Sequence, residues 1–316
     1  MARLARTPDA ILRGLEWTVL RRLEGLLQGD YRTLFRGAGI DLSNLREYQD
    51  GDDVRYIDWN VTARLQTLHV REYQQDRELT AWFLLDVSPS VDFGSSAVSK
   101  RTVLAEFVAV MARLLTGKGN YCGAMLFSAS IDRVVPPRGG RRQVLHILDL
   151  LGARTRLVRL GTTTDLNAIL RRAASMIRRR SVVFVVSDFI SRSDWGKALG
   201  LLARRHEVVA VRLLDPLEAR MPDIGLLTFQ DAETGEQIFA DTSDRRFRRR
   251  FSDAAREAQD SLRANFASAG VDCLEVSTED DLLDAFIRFA QMRKLRHKSA
   301  VGESPPAHQH LLAPVN

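Results

Sequence analysis

The run Ala81-Trp82-Phe83-Leu84-Leu85, closed by Asp86, restricts the fold of this chain more than any other stretch. It is short and has no polar face, which suits a strand buried on both sides, as in a parallel sheet covered by helices. Two further runs repeat the pattern. Tyr121 to Ser128 is nearly continuous in apolar residues, and Ser181 to Ile190 reads S-V-V-F-V-V-S-D-F-I, again reaching a carboxylate at Asp188. Helical spacing separates these runs. Leu104, Phe107, Val108, Met111 and Leu115 share one face of a helix over 99–116, and further helices are expected over 140–152 and near 193–204. Asp132 to Val135 reads as an edge strand ahead of Pro136, and 206–214 as another strand. Strands alternating with helical patterns predict an α/β fold with a doubly wound, mostly parallel central sheet.

The residues just beyond the first run bring chemistry. Ser88 and Ser90 stand at alternate positions after Asp86, and oxygen groups just past the carboxyl end of a central strand lie where open α/β sheets bind ligands. A carboxylate with two hydroxyls is hard-oxygen chemistry, suited to Mg2+ or Mn2+ rather than zinc. On these residues alone, a strand end with an Asp cap and a serine-rich turn is the plain alternative. Two other loops fall on the same edge of the expected sheet. One carries Thr163, Thr164 and Asp165 at the start of a helix, and the other carries Asp188 at the end of the third run.

The flanks differ in character. Residues 1–30 hold an amphipathic helix over 7–28, with Thr7 as cap, Pro8 in the first turn and Gly29 as the stop. Leu12, Leu15, Val19, Leu23 and Leu26 form its apolar stripe, while Glu16 and Glu24 favour docking on the body or on a partner over a membrane surface. Residues 31–76 have weak periodicity, with charges set beside aromatics. Asp50, Asp52 and Asp53 do not fit a calcium loop, and pairing with Arg46, Arg55, Arg64 and Arg71 is expected instead. The sheet domain is expected over 77–294. It includes a hairpin from Thr228 to Phe239 around Thr234-Gly235, a long helix from Asp244 to Ala269, a last strand over 271–276, and a final helix capped by Thr278 and running to about Lys294. Residues 295–316, with Pro305, Pro306, His308 and His310, have the composition of a disordered tail.

Charge and cysteine usage narrow the class. The formal net charge is +6, and 41 of the 46 basic residues are arginine; basic residues alternate with acids through most of the expected helices, which favours solvated faces. Cys122 and Cys273 are far apart in apolar runs and read as small core residues of a reducing compartment. No stretch approaches the ~18 apolar residues of a membrane span, so the cytoplasm is the expected location.

The three loops together resemble the metal-ion-dependent adhesion site of von Willebrand factor A-like domains. That site has a D-x-S-x-S loop, a threonine at the head of a later helix, and an aspartate ending the next central strand. The resemblance implies metal ligation by Asp86, Ser88, Ser90, Thr164 and Asp188, with Thr163 as the alternative to Thr164, and a partner's carboxylate filling the open position on Mg2+ or Mn2+. It goes further. R-E-Y-x-x-G-D-D-V-R-x-I-D-W-x-x-T-A-R from Arg46 to Arg64, V-R-E-Y from Val70 to Tyr73, D-P-L-E from Asp215 to Glu218 and D-A-E-T-G from Asp231 to Gly235 are similar to the domain-of-unknown-function family fifty-eight. Residues 31–76 are then a segment specific to that family. The likeness implies a MoxR-type AAA+ ATPase and its client proteins as partners, in assembly or activation of other proteins. Many relatives carry N-terminal membrane spans, where this chain has the amphipathic helix.

Two rival classes are weaker. A hydrolase of phosphate esters built on a strand-end aspartate needs D-x-D, and the second position here is Ser88. A G-x-S-x-G elbow and a P-loop are absent, and none of the three loops holds a histidine to act as base. Nucleic-acid binding rests only on the run Arg245, Arg246, Arg248, Arg249 and Arg250, for which a solvated helix face is the simpler account.

Overall fold

A computed structural model describes residues 7–15, 19, 20, 23, 45–49, 52–54, 57–71, 78–95, 98–153, 164–191, 193–230 and 235–300. Helix α1 (Pro8–Leu15) comes first, followed by a small antiparallel pair, β1 (Leu45–Glu47) and β2 (His69–Arg71), with α2 (Trp59–Leu65) between them. The sheet domain then runs β3 (Thr80–Asp86), α3 (Lys100–Gly117), β4 (Tyr121–Phe127), β5 (Ile131–Arg138), α4 (Arg141–Ala153), α5 (Leu166–Met176), β6 (Val182–Ser187), α6 (Gly196–Ala203) and β7 (Glu207–Leu214). After the short α7 (Pro216–Ala219) come the hairpin β8 (Leu226–Gln230) and β9 (Gln237–Asp241), α8 (Arg245–Ala269), β10 (Asp272–Ser277) and α9 (Leu282–Ala300).

The six-stranded sheet has the order β10-β7-β6-β3-β4-β5, with only β5 antiparallel. The chain winds outward from β3 to β4 and β5, then crosses back to β6 and continues to β7 and β10 on the other side. The direction of winding therefore reverses between β3 and β6, and the carboxyl ends of those two strands form the switch point where such sheets bind ligands. This is the α/β, doubly wound, mostly parallel sheet expected from the apolar runs.

Strand alternation divides the core in two. Phe83, Leu85, Phe184 and Val186 face a cluster completed by α3, α4 and α9. Leu84, Val183 and Val185 face another completed by α5, α6 and Phe266 of α8. Aromatic rings bind the first layer together: Phe83 stacks on Phe184 at 5.1 Å between centroids, and Phe107 lies 5.9 Å from Phe184 and 5.4 Å from Phe286. Cys122 is buried and Cys273 half-buried, both free, and burial pushes each thiol up to about 12. Among the described residues, no helix is long and apolar enough to cross a membrane.

Several expectations shift at element ends. The edge strand does not stop before Pro136 but continues through Pro137 to Arg138. Prolines are tolerated on an edge, and the register shift between Cys122 and Ala124 accommodates them. Gln143, buried in α4, donates from Nε2 to the carbonyls of Cys122 and Pro136 at 2.8 and 2.9 Å, which satisfies backbone groups that an irregular ladder leaves over. Gly123 fits closely there, since a Cβ would lie 3.0 Å from the Val135 carbonyl oxygen and from the Pro137 ring. Thr278 does not cap the last helix. Its hydroxyl donates to Asp215 Oδ2 at 3.0 Å, and Asp281 caps instead by accepting from Leu283 N at 2.7 Å. That helix runs to Ala300, and buried Arg293 ties it to Glu207 and to Asp272, the latter at 3.4 Å.

The N-terminal helix is described from Pro8 to Leu15, where it packs on the body. Leu12 is fully buried, Val19, Leu20 and Leu23 enter the α3–α4 layer, and Asp9 pairs with Arg141 at 2.8 Å. In the following segment Asp58 caps α2 through Asn60 N and Val61 N. Asp52 accepts from Gln49 N at 2.9 Å, whereas Asp50 and Arg55, two of the expected ion-pair partners, lie outside the described residues, as does the tail beyond 300. Phe184 touches both Phe83 and Phe107, so Phe184→Ala is expected to cost about 3–5 kcal/mol of stability, read as a lower urea midpoint with an unchanged slope.

Candidate metal centre

Asp86 is the last residue of β3 and is almost fully buried. The chain turns sharply after it because its Oδ1 accepts from Ser88 N at 2.9 Å. Ser88 is itself buried, and its Oγ lies 3.0 Å from Ser90 Oγ. A single 3-10 turn, Pro89–Asp92, carries Ser90, and Val91 plugs that turn into the core. Arg101 holds the outer side of the loop through Asp92. The two serine hydroxyls are thus fixed beside each other on a short, pinned turn.

Asp188 follows β6, the neighbour of β3. Its Oδ1 accepts from Ile190 N at 3.1 Å. Between the two carboxylates stands Ser187, which donates to Asp86 Oδ2 at 2.6 Å and accepts from Phe189 N at 3.0 Å. Phe189 has φ of 59°, a left-handed conformation that costs a bulky residue energy. Its ring is locked against Trp195 at 5.2 Å and Phe266 at 4.9 Å, so packing of α6 and α8 enforces the turn that aims Asp188.

Thr164 is buried, and the loop after Asp188 reaches it: Ser191 Oγ donates to the Thr164 carbonyl at 2.9 Å. Asp165 is exposed and caps α5, accepting from Ala168 N at 3.2 Å. Thr163 lies outside the described residues. Asp86, Ser88, Ser90, Thr164 and Asp188 therefore occupy one edge of the sheet, at the switch point. Among the described residues no three His, Cys, Asp or Glu side chains converge on a metal-binding group. The donor set is two carboxylates and neutral hydroxyls, the kind a hard cation takes.

Electrostatics support that fit. Burial pushes the Asp86 carboxyl up, and the negative charge of Asp188 pushes it further, to about 7, against the opposing bonds from Ser187 and Ser88. Two carboxylates held together away from water call for a positive charge. One was missed in the sequence. Lys100, at the first turn of α3, is 1% exposed and donates from Nζ to Asp188 Oδ2 at 3.0 Å and Glu218 Oε1 at 2.5 Å. Burial alone would depress its ammonium, but Asp188 and Glu218 more than offset this and raise it above the ordinary lysine value. The signal was present, since this chain has only five lysines and a cation at a helix start opposes the helix dipole.

Glu218 belongs to the D-P-L-E turn, and the geometry explains each residue. Asp215 caps α7 through Leu217 N at 3.0 Å, Pro216 fills the first helical position, and Glu218 Oε2 returns to Asp215 N at 3.3 Å. Asp215 also accepts from Ser95 N at 2.8 Å and Thr278 Oγ1 at 3.0 Å. Burial opposes ionisation of Asp215, and these bonds outweigh it, holding the carboxyl below its usual range.

A doubly wound α/β protein with an oxygen site at its switch point is the class these features define. The chain belongs to the family described as Protein of unknown function DUF58, which matches residues 44–261. The uncharacterized protein Rv1480 of Mycobacterium tuberculosis (strain ATCC 25618 / H37Rv) is 35% identical over 285 residues, covering 90% of this chain and 89% of its own length. Among solved structures, the conserved hypothetical protein BatB from Bacteroides thetaiotaomicron is similar at 12% identity and a TM-score of 0.42, covering 68% of this chain and 98% of that one. The SpRpn10 VWA domain is similar at 13% identity and a TM-score of 0.37, covering 67% and 95%. The strand order described above carries the fold assignment by itself.

The charges lead to two expected outcomes. An unfolded aspartate titrates near ~3.9, so in the metal-free protein Asp86 binds its proton more tightly folded than unfolded. Its stabilising contribution is complete below that value and is lost as pH rises through about 7. Stability in chelator should therefore fall between roughly pH 4 and pH 7, and Asp86→Asn should flatten the slope in urea unfolding. Lys100→Met removes the ammonium from a buried carboxylate and should cost about 3–5 kcal/mol, measured in the same assay.

Proposed function

We propose that this chain is a metal-dependent protein-interaction module in which Asp86, Ser88, Ser90, Thr164 and Asp188 hold Mg2+ or Mn2+. The observation that carries this is the pair of buried carboxylates, Asp86 at the end of β3 and Asp188 just past the adjacent β6, beside two hydroxyls 3.0 Å apart. When bound, the cation supplies a fixed positive charge with an open position for an anionic ligand. Hydroxyl donors are neutral, so two aspartates only balance a divalent charge and leave the site receptive to one more carboxylate. Asp165 is not that ligand, since it is engaged as the α5 cap. The carboxylate then comes from outside, a Glu or Asp on a MoxR-type AAA+ ATPase or its client, and the module acts with that ATPase in assembly or activation of other proteins.

Binding fits the site better than catalysis does. The described side chains at this edge supply no histidine base and no second strand-end aspartate at position 88, where Ser88 stands. Rigid positioning serves recognition, because a preformed ligand set selects a partner's carboxylate by charge and geometry. We place the module in the cytoplasm, with its N-terminal helix packed on the sheet domain.

Isothermal titration of metal-free protein with Mn2+ tests the metal directly. One binding event is expected, weakened at least about tenfold, or ~1.4 kcal/mol, in Asp86→Ala. Equal binding by the two proteins would remove the site. A purified MoxR-type ATPase should be retained on the immobilised chain with Mg2+ and released by chelator, and retention undiminished in chelator would show that the metal edge is not the interface.

A further inference from the structure

Helix α8 and the β8–β9 hairpin present a surface that the core does not explain. Helix α8 has 25 residues, and of these only Phe266, near its end, is buried. At ~1.5 Å per residue it is longer than any strand of the sheet. Its middle faces α7 across a cleft of about 450 Å³, lined by Ala219, Arg220, Ser252, Ala255, Arg256 and Gln259. Helix α7 lies at the site edge, because its Glu218 shares Lys100 with Asp188. Residues 245–251 precede the part of α8 that lines this cleft and extend the helix by roughly 10 Å toward the β8–β9 hairpin, where Phe247 and Phe251 are half-buried.

This first stretch of α8 is cationic. Arg245, Arg246, Arg249 and Arg250 are exposed, while Arg248 turns inward to Asp223 at 2.9 Å and the Thr242 carbonyl. Arg249 reaches only Asp253, at 3.9 Å, and Arg245, Arg246 and Arg250 make no ion pair among the described residues. Cations at a helix N-terminus oppose the dipole by about 0.3–1 kcal/mol each, so their presence works against the helix. Beside them the β8–β9 hairpin turns apolar groups to solvent. Leu226 is 81% and Phe239 80% exposed, on one face by the Leu226–Asp241 and Thr228–Phe239 pairing; Ile238, 61% exposed, lies on the opposite face, and Ile224, 59% exposed, precedes the strand. Two large apolar side chains exposed on one hairpin face, Leu226 and Phe239, mark an interaction surface.

We infer that the β8–β9 hairpin and the arginine-bearing start of α8 dock an acidic protein segment that carries aromatic or aliphatic side chains. Resting on the function proposed above, this segment belongs to the partner that brings its carboxylate to the metal edge. Charge complementarity selects the occupant. Both the arginines and the switch-point site demand anions, and α7 joins the two regions, through Glu218 to the site and across the cleft to α8. Lipid is disfavoured because Asp241 stands opposite Leu226 on the outer face, where insertion would strip a carboxylate of water. Nucleic acid would use the arginines but leave Leu226 and Ile224 without a role.

The full chain can be tested with a random glutamate–tyrosine copolymer, polyglutamate, phosphatidylglycerol vesicles and a single-stranded DNA oligonucleotide, by fluorescence anisotropy and co-sedimentation. The copolymer should bind tightest. Its affinity should fall at least about tenfold in Arg245→Glu/Arg246→Glu and in Leu226→Ser/Phe239→Ser, and polyglutamate should be insensitive to the second pair. The charge reversals place acids at a helix start, where they favour the helix, so lost binding there is not lost folding. Copolymer binding unchanged by the reversals overturns the proposal. Vesicles or DNA bound more tightly than the copolymer, and released by the same variants, overturn it in favour of lipid or nucleic acid. Chelator separates the two readings. Arginine-dependent binding that persists in chelator and in Asp86→Ala supports this surface even where the metal reading fails. Binding abolished by chelator but untouched by the reversals overturns the surface and leaves the metal site standing.

Discussion

Asp86 and Asp188 sit at the carboxyl ends of adjacent strands, out of contact with water, and the rest of the site edge answers to the charge they place there. Neither position is free to move, since Asp86 ends β3 and Asp188 directly follows β6, strands whose side chains fill both core layers. Isolated carboxylates in such surroundings would take up protons, as the raised Asp86 carboxyl shows. The fold meets the demand with Ser187, with the Ser88 amide and with the ammonium of Lys100. These groups hold the carboxylates in place without cancelling their charge, because Glu218 returns a negative charge to Lys100.

The same network joins elements that are distant in sequence. Lys100 begins α3, Asp188 follows β6, and Glu218 closes the capping box of α7, whose Asp215 accepts bonds from Ser95 and Thr278. A displacement of α7 would therefore be felt at Asp188, and α7 also faces the middle of α8 across the cleft. Buried polar networks of this kind fix relative positions more than they add stability. That is a suitable property where a site must present several oxygens with defined spacing.

Much of the fold was legible in sequence because both-sided burial leaves an unmistakable record: Ala81 to Leu85, Tyr121 to Ser128 and Val182 to Val186 have no polar face to hide. The switch point then located Asp86, Ser88, Ser90 and Asp188 on one edge, and Thr164 was placed there by its position at a helix start. What escaped was long-range. Lys100 pairs with residues 88 and 118 positions away, and no local pattern encodes those partners. Thr278 looked like a cap because caps are local, but a buried carboxylate from another loop took its hydroxyl. Pro136 looked like a strand end, whereas on an edge next to a register shift a proline costs no ladder bond.

The central claim is that the Asp86–Asp188 edge is a divalent cation site. Anomalous diffraction from crystals grown with Mn2+ tests it most directly. A peak within about 2.3 Å of the Ser88 and Ser90 hydroxyl oxygens, at typical hard-cation distances, and lost in Asp86→Ala crystals is the expected result. Ordered crystals grown in saturating Mn2+ with no peak at the switch point, and with Lys100 still the sole cation against Asp188, would contradict it.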